Sequence, residues 1–107
     1  MDILIKQWQE AQKDAFRVRR EVFILEQGVP QELEIDEFDK HAWHVLAYSG
    51  NECIGTARMH LNSDGSAQIG RMAILKHFRN QGLGRQVMKM LIETAMSKEI
   101  PSLTLHA

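Results

Sequence analysis

This chain of 107 residues has few cysteines, no long apolar run and little net charge, and each of these properties argues against a class of protein. It has one cysteine, Cys53, which excludes an internal disulfide and favours a reducing, cytoplasmic location. No apolar run is long enough to cross a bilayer and no signal peptide is recognisable, so we expect no membrane partner. The net charge is only -1, and nothing in this balance suggests nucleic-acid binding.

The remaining composition is that of an ordinary globular protein, with 44% apolar and 25% charged residues. A chain of this length has enough apolar residues for one hydrophobic core. Because it shows no internal repeat, low-complexity tract or linker, we expect residues 1–107 to form a single domain.

The periodicity of apolar residues predicts a strand, a helix, three strands, a helix and a strand, which is an α+β fold. Strands are predicted at residues 3–5, 43–48, 53–61, 67–74 and 102–106, and the three central strands form an antiparallel meander. The first helix is predicted to end before Gly28 and Pro30. Its apolar stripe consists of Ala11, Ala15, Val18, Val22 and Leu25.

Two sequence patterns predict which faces of the second helix and of the strand at 53–61 point to the core. In the second helix, residues three or four positions apart form one face, made of Leu83, Val87, Met90, Leu91, Thr94 and Ala95. In the strand at 53–61, alternation assigns one face to Cys53, Gly55, Ala57, Met59 and Leu61. The same alternation assigns the opposite face to Ile54, Thr56, Arg58 and His60.

The segment between the last meander strand and the second helix contains a glycine pair and reads Arg79-Asn80-Gln81-Gly82-Leu83-Gly84-Arg85. The first amides of a helix have no internal partner and carry the positive end of the helix dipole. Glycine allows a ligand to approach this backbone closely, and arginines add guanidinium donors that suit phosphate oxygens. We therefore predict that this turn binds phosphate.

Three phosphate-binding patterns can be compared with this turn. The dinucleotide fingerprint requires a third glycine where Val87 stands, and the P-loop requires a Gly-Lys-Ser/Thr triplet that does not follow Gly84. The third pattern, Arg/Gln-x-x-Gly-x-Gly/Ala, is matched in full by residues 79–84. With this motif between a predicted strand and a predicted amphipathic helix, the chain resembles the GNAT family of N-acetyltransferases. A plain glycine-rich turn with solvated arginines is the alternative.

A second segment strengthens the resemblance. The run Arg19-Arg20-Glu21-Val22-Phe23 is followed by Glu26-Gln27-Gly28-Val29-Pro30 and then by Asp36-Glu37-Phe38-Asp39. This order is similar to that of a bacterial subgroup of the family, which includes the ElaA and YjcF proteins. Together with the glycine turn, the similarity spans nearly the whole chain.

The resemblance implies acetyl-CoA as co-substrate and direct attack by the primary amine of a small molecule or a protein, in a ternary complex. It implies that the pantetheine arm contacts the backbone of Met72, Ala73 and Ile74. The side chains of Met72 and Ile74 are expected to pack in the core. It implies that the pyrophosphate contacts Arg79, Asn80, Gln81, Gly82, Leu83, Gly84 and Arg85. The family often has a proline where Lys76 stands, but the backbone role does not require one.

The sequence assigns no catalytic side chain. Candidates for the general base are Glu26, Glu32, Glu34 and His44, each of which is better explained as a structural or solvated residue. In the family, a tyrosine on the helix after the last strand protonates the thiolate, and the only tyrosine here, Tyr48, falls on the second strand. No metal is expected, because no ligand spacing is found at His41, His60, His77 and His106.

An acidic run at residues 31–40 leaves two interpretations open. Like charges at this density favour a loop, which is either solvated or forms an acidic mouth that attracts cationic amines. The acidic residues of this run are Glu32, Glu34, Asp36, Glu37 and Asp39.

Two functions of other classes also remain open. One is a non-catalytic acyl-CoA-binding or interaction domain, and the other is a nucleotide-binding regulator, which the two failed fingerprints disfavour. The family core continues beyond the predicted last strand with one helix and two strands. We therefore expect the chain to be a fragment of a longer protein, to be completed by a partner or, as a homodimer, by a second copy that pairs with that strand, or to have lost activity.

Overall fold

The computed structural model describes residues 1–31 and 35–105. Its helices are α1 (Trp8–Arg19) and α2 (Leu83–Ser97). Its strands are β1 (Asp2–Gln7), β2 (Trp43–Ser49), β3 (Glu52–Leu61), β4 (Ala67–Ile74) and β5 (Leu103–Leu105). The predicted order of elements is confirmed, while position 106 of the predicted last strand lies outside the described residues.

The five strands form one sheet in the order β1-β2-β3-β4-β5. Neighbouring strands from β1 to β4 are antiparallel, as the predicted meander requires, and β4 and β5 are parallel. A parallel pair needs a crossover connection, which α2 provides between β4 and β5. The predicted α+β fold is therefore confirmed.

The first helix continues without a break from α1 into a π-helical segment, Arg20–Glu26. Here the Gln27 amide donates to the Val22 carbonyl, five residues back, at 3.1 Å. Gly28 then adopts a φ of 76° and ends the helical path, as predicted. Because the wider π turns shift the phase of the side chains, Leu25 leaves the predicted apolar stripe and is 56% exposed.

A purely apolar cluster lies between α2 and the sheet. It contains Val45, Ala47, Ile54, Ala57, Met59, Ala67, Ile69, Leu83, Val87, Leu91 and Ala95. Two other predicted positions of the helix face, Met90 and Thr94, are only partly buried. Met90 packs at the margin of the cluster, and the Thr94 hydroxyl donates to the Met90 carbonyl at 2.8 Å. Leu61, predicted on this face, is 50% exposed because it ends β3 beyond the cluster.

The opposite face of the sheet is covered by α1 and has a second cluster. It contains Trp8, Ala11, Ala15, Val18, Val22, Leu46, Cys53 and Ala73. Charged groups complete this layer, since Arg19 on α1 and Asp39 in the segment before β2 are both fully buried. The apolar periodicity of α1 gave no indication that Arg19 would be buried.

A bulge on β3 reverses part of the predicted alternation. Ala47 pairs with Gly55 while Tyr48 pairs with Cys53, so Ile54 is an extra residue on β3. Consequently Cys53 packs under α1 and Ile54 packs under α2. The predicted faces of Cys53 and Ile54 were wrong for this reason.

Candidate functional site

The predicted phosphate turn adopts a conformation that leaves the start of α2 open. Asn80 and Gly82 have left-handed φ angles of 64° and 80°, which turn the chain sharply. Gly82 is the N-cap of α2, and its carbonyl accepts the Gln86 amide at 3.2 Å. No side chain among the described residues caps this helix start. The amides of its first turn, including those of Leu83 and Gly84, can therefore bind an anion.

The end of β4 lies against this turn. A Cβ added to Gly84 would lie 3.9 Å from Met72 Sδ, which is ordinary van der Waals contact. Ile74 fills the space at Gly55, where an added Cβ would come within 2.9 Å of Ile74 Cδ1. The side chains of Met72 and Ile74 thus pack at the margin of the α2 cluster, as expected, and Ala73 is buried on the opposite face.

A bulge in β4 lies beside this strand end. Between the pairs Thr56–Ala73 and Arg58–Gly70, β4 has one residue more than β3. Arg71, within this bulge, has a φ of 52°, which is uncommon for a residue other than glycine. The bulge bends the strand next to the predicted pantetheine site.

One edge of β4 is open along the same stretch. β5 pairs with β4 at Ala67, Gln68 and Ile69. In the described ranges, Gly70, Ala73 and Ile74 of β4 are paired with β3, and the pairing with β5 does not extend past Ile69. Apart from the Ile74 carbonyl, which accepts a hydrogen bond from Arg79 Nε, backbone groups of residues 72–74 that face away from β3 can hydrogen-bond an extended ligand.

Arg79 uses its guanidinium within the protein. Its Nε donates to the Ile74 carbonyl at 2.8 Å, and its Nη1 and Nη2 each donate to one oxygen of Glu26 at 2.7 Å. The hydrogen bond from Arg79 lowers the pKa of Glu26, so this carboxylate is a weak base bound to a cation. Its candidacy as general base is therefore not supported. The other polar residues predicted at the turn are exposed, namely Asn80, Gln81 and Arg85.

A groove of about 540 Å³ opens beside the Glu26–Arg79 ion pair. Its apolar part is formed by Val18, Leu75 and the exposed Leu25. Its polar lining consists of Arg17, Glu21, Glu26, Glu52, Lys76 and His77.

His44 is buried under α1 and does not reach the predicted cofactor turn. Its Nε2 lies 2.9 Å from the Asp39 carbonyl oxygen, so Nε2 carries the ring proton and donates it. The ring is 1% exposed and lies 4.9 Å from the Trp8 ring, centroid to centroid. Burial lowers the pKa of His44. A side chain so enclosed is structural, and its candidacy as general base is not supported.

Tyr48 and Cys53 are also engaged in the fold. The Tyr48 hydroxyl donates to Asp14 Oδ2 at 2.6 Å. Burial, followed by this hydrogen bond, raises the pKa of Tyr48, which makes it a weaker acid. Burial raises the pKa of the Cys53 thiol to about 11, so it stays protonated at neutral pH and is a poor nucleophile.

The acidic segment is bonded to buried arginines. Arg19 donates to both carboxylate oxygens of Asp39, from Nη1 at 2.8 Å and from Nη2 at 3.1 Å. Arg58 Nη1 donates to Asp39 at 3.0 Å and to Asp36 at 2.6 Å. Arg71 Nη2 donates to Asp36 at 3.0 Å, which ties the β4 bulge to the same segment.

This arginine network changes the interpretation of the acidic run. Burial alone would raise the pKa of Asp39, but the hydrogen bonds and charge of Arg19 outweigh it, and the pKa is lowered. Neither a solvated loop nor an open acidic mouth describes Asp36 and Asp39, while Glu37 is exposed. Two further residues, the base candidates Glu32 and Glu34, lie outside the described residues.

Residues 1–31 and 35–105 contain neither a cluster of metal ligands nor a helix suited to a membrane. No group of three or more His, Cys, Asp or Glu side chains is placed to hold a metal ion there. In the same ranges, neither helix combines the length and apolar character that crossing a membrane requires.

Comparison with known sequences identifies relatives over most of the chain. The family model described as the acetyltransferase (GNAT) family matches residues 5–107. YjcF, an uncharacterized N-acetyltransferase of Bacillus subtilis, is 40% identical over 95 residues, which cover 89% of this chain and 67% of YjcF. ElaA of Escherichia coli is 30% identical over 82 residues, which cover 73% of this chain and 53% of ElaA. The chain thus spans between half and two thirds of these relatives.

Solved structures share the fold. An acyl-CoA N-acyltransferase from Pseudomonas aeruginosa superposes with a TM-score of 0.88 at 25% identity, over 99% of this chain and 78% of that one. Escherichia coli ElaA superposes with a TM-score of 0.88 at 23% identity, over 99% of this chain and 77% of that one. These superpositions include the strand, turn and helix on which the predicted cofactor contacts lie.

Proposed function

Because the chain belongs to the acetyltransferase (GNAT) family, we propose that it transfers the acetyl group of acetyl-CoA to a primary amine. The family uses acetyl-CoA as co-substrate and acts on small-molecule or protein amines. One observation carries the proposal: the open edge of β4 lies next to the uncapped start of α2, since Met72 Sδ would be 3.9 Å from a Cβ added to Gly84. This arrangement suits a ligand that combines an extended arm with phosphate groups.

Each part of the cofactor has a matching part of the chain. Pantetheine carries amide groups that pair with the backbone of Met72, Ala73 and Ile74, apart from the Ile74 carbonyl, which is bonded to Arg79. The pyrophosphate lies on the first amides of α2, at the positive end of the helix dipole. Arg85, exposed beside these amides, supplies a cationic donor.

In the proposed reaction, the amine nitrogen attacks the thioester carbonyl carbon while both substrates are bound. The C–S bond breaks, the acetyl group stays on nitrogen, the nitrogen loses a proton and the thiolate gains one. A backbone amide at the open edge of β4 stabilises the oxyanion as charge develops. An alkylammonium group with a pKa of about 10.4 must first be deprotonated, and Glu32 and Glu34 remain candidates for the base.

A second candidate function is a non-catalytic acyl-CoA-binding domain. It is favoured by the state of Tyr48, whose hydroxyl is bonded to Asp14 and whose pKa is raised, so it is a poor thiolate acid. Release of free thiol from acetyl-CoA in the presence of mixed polyamines separates the two functions. Tight binding without thiol release would favour the second.

Gly84→Ala tests the cofactor site with little expected change in the fold. The added methyl group meets only Met72 at 3.9 Å, and alanine is a better helix former than glycine. If the phosphates approach this backbone closely, the methyl group should weaken CoA binding about tenfold, as measured by calorimetry. Thermal stability should stay equal or rise.

Glu93→Ala, at an exposed position on the same helix, is the matched control and should bind CoA like the parent. Gly82 is less suitable for the test, because its φ of 80° makes any other residue strained. Unchanged CoA affinity in Gly84→Ala would remove the pyrophosphate from this turn.

Three further expectations accompany the proposal. Residues 1–107 are treated as one domain, and a cytoplasmic location is supported by the single, buried cysteine. Association with a second copy through β5 stays a prediction.

A further inference from the structure

Arg79 connects three parts of the molecule. Its Nε donates to the Ile74 carbonyl at the end of β4, and both of its Nη groups donate to Glu26 at 2.7 Å. Glu26 ends the π-helical segment and is 53 positions away in sequence. One guanidinium therefore fixes the end of the first helix and the end of β4 to the glycine turn.

We propose that Glu26 and Arg79 form a positioning pair that sets the geometry of the phosphate turn, and that Arg79 does not itself bind phosphate. The proposal rests on the proposed function, since the turn is a cofactor site only if the protein binds CoA. It reassigns Arg79, which the motif places among the pyrophosphate contacts.

The geometry favours positioning over phosphate binding. A two-pronged arginine–carboxylate pair fixes both distance and orientation, so it is more directional than a single charge. The pair stands directly before Asn80 and Gly82, the two residues with left-handed φ angles. A small change in the backbone dihedral angles of Arg79 would displace Asn80 and Gly82 and change the direction of the amides at the start of α2.

The pair contributes little to global stability. The side chains of Arg79 and Glu26 are 33% and 40% exposed, and pairs at such positions are weakened by solvent. Its two bonds of 2.7 Å are better explained by a local requirement at the turn than by stabilisation of the fold.

Glu26→Gln separates the two roles of Arg79 by the sign of its effect. If Arg79 were a phosphate ligand held back by Glu26, the variant would free its charge and bind CoA more tightly. If the pair positions the turn, the variant loosens the turn and binds CoA more weakly. The glutamine has the same size and retains one acceptor oxygen, so little else changes.

The experiment measures CoA affinity by calorimetry in the parent, Glu26→Gln, Arg79→Gln and the double variant. We expect each single variant to weaken binding about tenfold, on the scale of a lost charge-assisted hydrogen-bond pair. The double variant should match the single variants, because both disable the same pair. Glu21→Gln, an exposed carboxylate on the same segment, should bind like the parent.

Two additional readouts exclude a general loss of structure. The melting temperature should stay within a few degrees of the parent, since the pair is partly exposed. In turnover, the Michaelis constant for acetyl-CoA should rise while that for the amine stays constant. Arg79→Lys should not retain the CoA affinity of the parent, because lysine lacks the planar guanidinium whose two Nη groups bind both Glu26 oxygens.

The outcomes are distinguishable. A parent protein that does not bind CoA would contradict the proposed function itself. A parent that binds CoA, combined with a Glu26→Gln variant that binds equally or more tightly, would overturn the positioning pair alone.

Discussion

The two faces of the sheet are stabilised by different chemistry. Under α2, the cluster consists only of apolar side chains, and none of its members can ionise. Under α1, the apolar cluster is joined by buried Arg19, Asp39, His44 and Arg58. A buried charge is tolerated only with a partner. The stability of the α1 face therefore depends on specific ion pairs, while that of the α2 face depends on how well apolar side chains fill the space.

The difference corresponds to different roles near the proposed site. The α2 face supports a helix start, which requires only that the helix be held firmly. The α1 face holds the segment from Asp36 to Asp39, and its arginine network reaches Arg71 in the β4 bulge. The ion pairs thus connect the segment that leads into a short 3-10 helix, Asp39–His41, to the strand proposed to hold pantetheine.

Asp39→Ala should give the largest effect, because it removes the centre of the network on the α1 face. Arg19 would keep its charge in a fully buried site without the carboxylate that now accepts two of its hydrogen bonds. Breaking one side of a buried pair typically costs about 3–5 kcal/mol. Urea unfolding, followed by circular dichroism, measures the loss.

Glu37→Ala is the control, because this exposed acid of the same segment should change stability by less than about 0.5 kcal/mol. If Asp39→Ala does not fold, Asp39→Asn keeps the shape and one acceptor and should show a smaller loss. A cost below about 1 kcal/mol for both variants would mean that the network does not stabilise this face.

Leu91→Ala tests the α2 face, where volume should matter more than pairing. Leu91 is fully buried in the cluster, and its truncation leaves a cavity that costs about 3 kcal/mol. The adjacent Ile92 is 39% exposed, so Ile92→Ala should cost clearly less in the same unfolding assay. Equal losses for the two variants would contradict the assigned orientation of α2.

The sequence predicted the α2 face better than the α1 face for a physical reason. Apolar periodicity reports which side chains avoid water, and this is the whole basis of the α2 cluster. It cannot report that Arg19 and Asp39 are buried together, because each residue alone favours solvent. Arg58, in the middle of an apolar strand, was the signal that a buried partner was needed.

At the site, the motif predicted a glycine turn between a strand and a helix but not the side-chain contacts around it. The left-handed Gly82 and the open start of α2 follow from local rules for turns and helices. The Glu26–Arg79 pair depends on two segments that meet only in the folded chain, so spacing could not reveal it. The same holds for the bulge that moved Cys53 to the α1 face.

The smallest predicted effect concerns pH, and it should come from the α1 face alone. Burial lowers the pKa of His44 and of His60 in the folded protein, so the unfolded chain binds more protons at mildly acidic pH. The contribution of these histidines to the free energy of unfolding is therefore complete above the unfolded histidine pKa of about 6.5. It decreases as the pH drops below that value. The α2 cluster contains no ionisable member that could add to this slope.

His44→Gln measures how much of the slope belongs to His44. Glutamine can still donate to the Asp39 carbonyl but does not titrate, so the variant should lose less stability between pH 7 and pH 5 than the parent. His60 should account for part of the remaining slope, while the exposed His41→Gln should leave the slope unchanged. Urea unfolding at both pH values gives the difference directly. If His44→Gln loses as much stability between pH 7 and pH 5 as the parent does, the buried, neutral His44 is not a source of the pH dependence assigned to the α1 face.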